Sequence, residues 1–261
     1  MRCTKHLPLQ ILVNNSSLYN SMSPLHLPSH LTRRQTLQLL GMSGIGYLLG
    51  GCQDSNLAAR LGDFSEPLNR SFEELLVKPQ QLIPEYPVSA IDPKALIINS
   101  AEGTPKLELD AYRLTIDGKV DNPIRLSLPQ LNKLPQASMV MQHVCVEGWA
   151  AIVQWGGVRL RDLAMMVKPK PSARYVIFQS ADKYYESWDL ASALHPQTLL
   201  ASNMNGAPLP IDNGAPIRLA APIKLGYKQS KWVTQVTFSS QLPKGRGGYW
   251  EDQGYEWFGG I

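Results

Sequence analysis

Cysteine is scarce in this chain of 261 residues. Three occur, Cys3, Cys52 and Cys145, and no Cys-x-x-Cys-His motif for haem attachment is among them. A disulfide framework is therefore excluded as the main source of stability, and any haem-borne electron must come from another protein. Internal repeats, low-complexity tracts and a P-loop are also missing, which removes solenoids and P-loop nucleotide enzymes. Apolar runs are short. The stretch Leu37 to Leu49 contains Gln38 and several glycines and is too short and too weak to span a bilayer.

Excess charge is missing as well, once its position is considered. The chain has 25 Lys+Arg against 21 Asp+Glu, a formal net charge of +4. Arg2, Lys5, Arg33 and Arg34 lie in residues 1–51, which hold no acid, so the remainder carries 21 charges of each sign. A neutral body offers no electrostatic footprint for nucleic acid, and none is expected as a partner.

What is present begins with Thr32-Arg33-Arg34-Gln35-Thr36-Leu37, then the short apolar run, then Leu49-Gly50-Gly51-Cys52. That order describes a twin-arginine export signal ending in a site that resembles a lipobox. The competing reading is a buried amphipathic helix with a chance arginine pair. The export reading divides the chain into a leader at 1–51, a tether and approach segment at 52–90 with a short helix over 71–77, and a folded domain at 91–261. It makes either Met1 or Met22 the start, places the protein on the periplasmic side and makes Cys52 a lipid anchor to a membrane. The twin-arginine route carries folded passengers, typically loaded with a cofactor.

Cys145 is then the one cysteine left for chemistry. An isolated thiol in an oxidising compartment is either buried and inert or bound to something. Its surroundings read as an α+β domain of mixed sheets with short helices. A strand is expected over 110–120, closed by a tight turn at Asp117-Gly118. A short helix starts at Ser127 with Pro129 in its first turn. A buried strand over 138–146 runs into Cys145, and 157–163 leads into a second short helix. Further strands are expected at 174–179, 217–220 and 232–238, the last two flanking a basic loop. Asp189–Ala193 precedes a His195-Pro196 turn in which His195 has an interior structural role. The aromatic tail at 247–261 is expected to fold back over the domain.

The run Gln142-His-Val-Cys-Val-Glu-Gly-Trp149 is followed in order by Trp155-Gly-Gly-Val158, Leu194-His-Pro-Gln-Thr-Leu-Leu200, Asn213-Gly-Ala-Pro-Ile-Arg218 and Pro222-Ile-Lys-Leu-Gly-Tyr-Lys228. Each block is weak alone. Together they resemble the sulfite oxidase family of molybdopterin-dependent oxidoreductases from about Tyr112 to Gln241, closest to bacterial exported members such as the molybdenum subunit of the periplasmic methionine sulfoxide reductase. The resemblance implies that Cys145 ligates molybdenum beside a molybdopterin dithiolene. A soft thiolate donor held by a high-valent metal would stay deprotonated and protected from oxidation.

The resemblance also implies cofactor contacts at Asn213, Arg218, Gln229, Ser230 and Lys231, with Ser180 as a hydroxyl contact and Asn99 as the match to an N-terminal asparagine. Arg218 would give a bidentate grip and Lys231 a point charge. His143, two residues before the thiol, shares its strand face and is either a cofactor donor or a core histidine. Glu147 shares that face too and could assist proton transfer, with Tyr227 shaping the pocket. Trp149 and Trp155 are expected as walls. Where sulfite oxidases follow the cysteine with an arginine-bearing segment, this chain has Val-Glu-Gly-Trp-Ala, and Glu147 would repel an oxyanion. The expected activity is thus two-electron, oxo-transfer chemistry of reductase type on a small or protein-bound oxidised substrate. Electrons would pass through a separate haem- or quinone-linked partner. The rival of another class is a lipid-anchored binding or scaffold protein that kept the fold without metal catalysis.

Overall fold

The computed structural model describes residues 81–100 and 103–261. The leader, Cys52 and the helix expected over 71–77 lie outside the described residues. Two five-stranded sheets carry the domain. The first contains β1 (Leu114–Gly118), β2 (Ile124–Leu126), β5 (Tyr175–Ser180), β6 (Tyr185–Asp189) and β10 (Val233–Ser239), in the order β2-β1-β10-β5-β6. Only β1 and β10 run parallel there. The second follows the order β3 (Ala137–Val144), β4 (Ala150–Arg159), β7 (Leu199–Met204), β8 (Ala207–Pro208), with β9 (Arg218–Ala220) also paired to β7. Its pairings are all antiparallel. Three short helices connect the strands: α1 (Leu128–Asn132), α2 (Leu160–Val167) and α3 (Leu190–Ala193).

Local chemistry accounts for the helix starts. Ser127 and Gln130 form a reciprocal capping box on α1, with proline in the first turn, and Asp189 caps α3 by accepting from Ser192 N at 2.7 Å. A main core joins Ile116, Phe178, Val236 and Trp188 of the first sheet to Val158, Leu200 and Leu219 of the second and to Leu160 and Leu163 of α2. A second cluster packs Met139, Met141, Val153 and Trp155 against Leu199 and Ala220. Each such side chain removed from water contributes roughly 1.5–3 kcal/mol before entropy is charged against it.

One expectation changes. The strand before the thiol ends at Val144, so Cys145 stands in a turn and not in a strand. The Trp155-Gly156-Gly157 block lies inside the ten-residue strand β4. A Cβ at Gly157 would lie 2.1 Å from Leu200 O, so the glycine admits β7 at a point where the register shifts. The basic loop holds Lys224 and Lys228 in the interior. The approach segment is docked where it is described. Tyr86 N donates to Val140 O at 3.0 Å, and Gln197 exchanges two hydrogen bonds of 2.8 Å with the Ile83 main chain. His195 is interior, with its ring bonded to Gln81 O at 3.0 Å and to Gln197 N at 3.2 Å.

Candidate functional site

Cys145 heads a tight reversal between β3 and β4. Its N–H donates to Trp149 O at 2.9 Å, and Gly148, at φ 89°, donates to Cys145 O at 3.1 Å. Positive φ is the reason for glycine at that position. Strand alternation therefore does not bring Glu147 to the thiol; the turn does. Cys145 Sγ donates to Glu147 Oε2 at 3.6 Å, and the same oxygen accepts from Trp149 Nε1 and Asn99 Nδ2, each at 2.9 Å. The indole bond first, then the amide, holds the Glu147 carboxyl below its ordinary range, while burial pushes the Cys145 thiol up. The thiol is half-buried and free.

Two cations also belong to the site. Arg218 on β9 is buried, its guanidinium centre 4.5 Å from the Trp155 ring, and its N–H groups donate to Asn213 O at 2.9 Å and Leu219 O at 3.3 Å. Among the described residues no carboxylate pairs with it. Burial brings its pKa down to about 10. Lys231 donates to Asp212 O at 2.9 Å, and burial, followed by repulsion from Arg218, brings it down to about 8. Gly214, at φ 115°, makes the pair possible, since a Cβ there would lie 3.0 Å from the Cβ atoms of both Arg218 and Lys231. The two cations converge, and the carboxylates of Asp182 and Asp212 act on Lys231 while none among the described residues is paired with Arg218.

Thiol and cations line one cavity of about 350 Å³. Asn99, His143, Cys145, Glu147, Asn213, Arg218, Tyr227, Gln229, Ser230 and Lys231 all line it, while Ser180 stands outside the lining at the end of β5. Gln229 lines the cavity with its amide largely committed to main chain. It accepts from Ala221 N and donates to Ala221 O and to Lys224 O at 2.7 Å. Tyr227 forms a wall whose hydroxyl donates to Glu256 O at 2.6 Å. His143 packs between Trp149 and Trp155, and burial with the nearby Arg218 lowers its pKa to about 3, so its ring is neutral.

Sequence reasoning missed two contributions. Trp250 and Tyr255 of the C-terminal tail do more than fold back, because they line the cavity. Lys228 is spent on a buried pair of acids, Glu186 at 2.5 Å and Glu251, and Lys224 on Asp189 at 3.5 Å and Phe258 O at 2.6 Å. The aromatic density of the tail signals packing; nothing local in Tyr185–Asp189 signals that its acids are buried.

The buried atoms His143 Nδ1, Ser230 Oγ and Ser180 Oγ lack a hydrogen-bond partner within the protein. The orphaned atoms of His143 and Ser230, a buried guanidinium without a carboxylate partner, a neighbouring lysine and a soft sulfur donor lining one cavity fit an anionic, hydrogen-bonding heterocycle that carries a thiophilic metal. This is the site of a cofactor-bearing redox protein. Residues 101–250 match the model of the oxidoreductase molybdopterin binding domain, and the chain belongs to that family, the sulfite oxidase type of molybdopterin-dependent oxidoreductase. An Azospira oryzae protein provisionally named protein-methionine-sulfoxide reductase subunit YedZ1 is 40% identical over 234 residues, 87% of each chain. The protein-methionine-sulfoxide reductase catalytic subunit MsrP of Campylobacter jejuni is 34% identical over 51% of this chain and 50% of its own. That of Xanthomonas axonopodis is 33% identical over 53% and 48%. The sulfane dehydrogenase SoxCD of Paracoccus pantotrophus shares the fold, with a TM-score of 0.54 at 20% identity over 66% of this chain and 52% of that one.

Proposed function

We propose that this protein is an exported molybdenum-cofactor enzyme that reduces S-oxides, with Cys145 as the protein ligand to the metal. The observation that carries the reading is a free thiol and a buried guanidinium without a carboxylate partner among the described residues, together with Lys231, lining one cavity. When bound, the cofactor supplies two-electron redox chemistry at a metal able to take up an oxygen atom. Reduction of a sulfoxide consumes two electrons and two protons, and yields a thioether and water.

The chain's own groups divide the remaining work. Arg218 and Lys231 hold the anionic part of the cofactor, and Asn213, Ser230 and His143 meet its polar edge. The neutral His143 can do so without adding charge. Ser180 supports from outside the lining, and Gln229 braces the loop that carries the donors. Asn99 and Trp149 hold the Glu147 carboxylate beside the thiol, where it can take up a proton from solvent and relay it to the departing oxygen. Its negative charge disfavours oxyanions such as sulfite. Tyr227 closes the wall. Electrons arrive singly from a separate haem- or quinone-linked carrier. The leader reading adds periplasmic placement by the twin-arginine route and a lipid anchor at Cys52, with 52–90 as tether and approach segment. Among the described residues no helix is long and apolar enough to cross a membrane.

The test is a substrate screen on the purified, cofactor-loaded protein with reduced methyl viologen as donor. Methionine sulfoxide in a peptide should be turned over and sulfite should not be oxidised. Rapid sulfite oxidation with no sulfoxide turnover would overturn the reading.

A further inference from the structure

We propose that the C-terminal tail completes the site as an apolar substrate subsite, with Tyr255 the specificity-determining residue for the side chain that flanks a sulfoxide. This deepens, and rests on, the reading that the enzyme reduces S-oxides. The tail is a built wall. Glu251 is fully buried against Lys228, Tyr227 Oη donates to Glu256 O at 2.6 Å, Lys224 Nζ donates to Phe258 O at 2.6 Å, and Trp257 is buried. Between these anchors Trp250 and Tyr255 face the cavity.

The rings stand in contact. Tyr255 lies 5.2 Å from Trp250 and 5.3 Å, edge to face, from Tyr227. Ile97, Ile98 and Val146 line the same cavity, yet are 52%, 54% and 47% exposed; Tyr255 is 38% exposed. Side chains that both line a cavity and face solvent mark its mouth. None of these six bears a formal charge. The exposed carboxylates of Glu147 and Asp212 also line the cavity, so an anionic group entering there meets repulsion, whereas an aromatic or aliphatic one gains contact with the six. The mouth is continuous with the cavity that holds Cys145, so its occupant is attached to the reacting group. The occupant we assign is an apolar side chain next to methionine sulfoxide in a flexible polypeptide.

The experiment compares the loaded wild-type enzyme with Tyr255→Ala and Tyr255→Phe on three substrates: a peptide with Phe beside its methionine sulfoxide, the same peptide with Gly there, and dimethyl sulfoxide. Equilibrium binding of the two reduced peptides to the loaded proteins gives a readout independent of turnover. Thermal melting confirms that the tail stays folded. For Tyr255→Ala, KM and Kd for the Phe peptide should rise about two- to tenfold, the worth of one aromatic pair. kcat, the Gly peptide and dimethyl sulfoxide should be unchanged, and Tyr255→Phe should behave as wild type. Equal losses on all three substrates, or no change on any, would overturn the subsite while leaving sulfoxide reduction standing. A wild-type enzyme that reduces none of the three would overturn the functional reading itself.

Discussion

Asn99 and Glu147 are 48 positions apart and share a hydrogen bond of 2.9 Å, which brings a residue just outside the family-matched span to the carboxylate beside Cys145. A supporting hydrogen bond of this kind orients the group that does the chemistry, and removing one typically costs 10–100-fold in activity or metal affinity. Asn99→Asp sets a second carboxylate against Glu147 and should lower turnover by about tenfold or more. Molybdenum and pterin content should stay near wild type. Elemental analysis beside steady-state assays checks both halves, and an unchanged rate would show that Asn99 does not support Glu147.

Arg218 gives a prediction of opposite signs. Without cofactor it is a buried cation with only carbonyls for partners, so Arg218→Met should leave the cofactor-free chain as stable as wild type or about 1 kcal/mol more stable. The same change should sharply reduce pterin retained through purification. Denaturant titration of the apo chain and pterin release from the loaded one measure the two effects. A variant that loses apo stability and keeps its pterin contradicts the assignment.

The tail depends on Lys228, whose ammonium is shared by the fully buried Glu186 and Glu251. Lys228→Met leaves two buried carboxyls without a cation and should cost about 3–5 kcal/mol. Adding Glu186→Gln and Glu251→Gln should restore part of it. Urea midpoints of the single and triple variants test this, and a single variant within about 0.5 kcal/mol of wild type would show the cluster to be idle.

Lys224 sets a pH dependence. Burial lowers its pKa from 10.5 to about 8, against the pull of Asp189. Below pH 8 the lysine is protonated in both folded and unfolded chains, and its contribution is flat. Between about pH 8 and 10.5 the unfolded chain holds more protons, so stability from this group rises with pH. The stability of wild type minus that of Lys224→Met should therefore grow over that window, by at most about 3 kcal/mol. A difference that shrinks there would contradict the burial argument.

Much of the fold and of the site is legible in the sequence, and the reasons differ by element. Ser127 with Gln130 announces α1 because its capping contacts are local. The alternation around Leu114 and Ile116 announces β1 because one face is buried. β4 and β6 are not legible. β4 hides its pattern behind a glycine pair whose purpose is the approach of β7, a partner some 40 residues on. β6 buries Glu186, Ser187 and Asp189, which satisfy one another's surroundings only after the tail arrives. Ten of the eleven expected site residues share one cavity. The lysines of the basic loop mislead because sequence shows charge and not its partners. Trp250 and Tyr255 escape because a tail has no period that declares which wall it will form.

The most direct test is the metal content of the protein and its Cys145→Ser variant, both purified from molybdenum-replete cells. Metal ligation by Cys145 predicts about one molybdenum per chain, with pterin, in the wild type. The variant should lose the metal while its melting temperature without cofactor stays within a few degrees of wild type. Wild-type protein without molybdenum or pterin, or a serine variant that keeps full metal and activity, would contradict it.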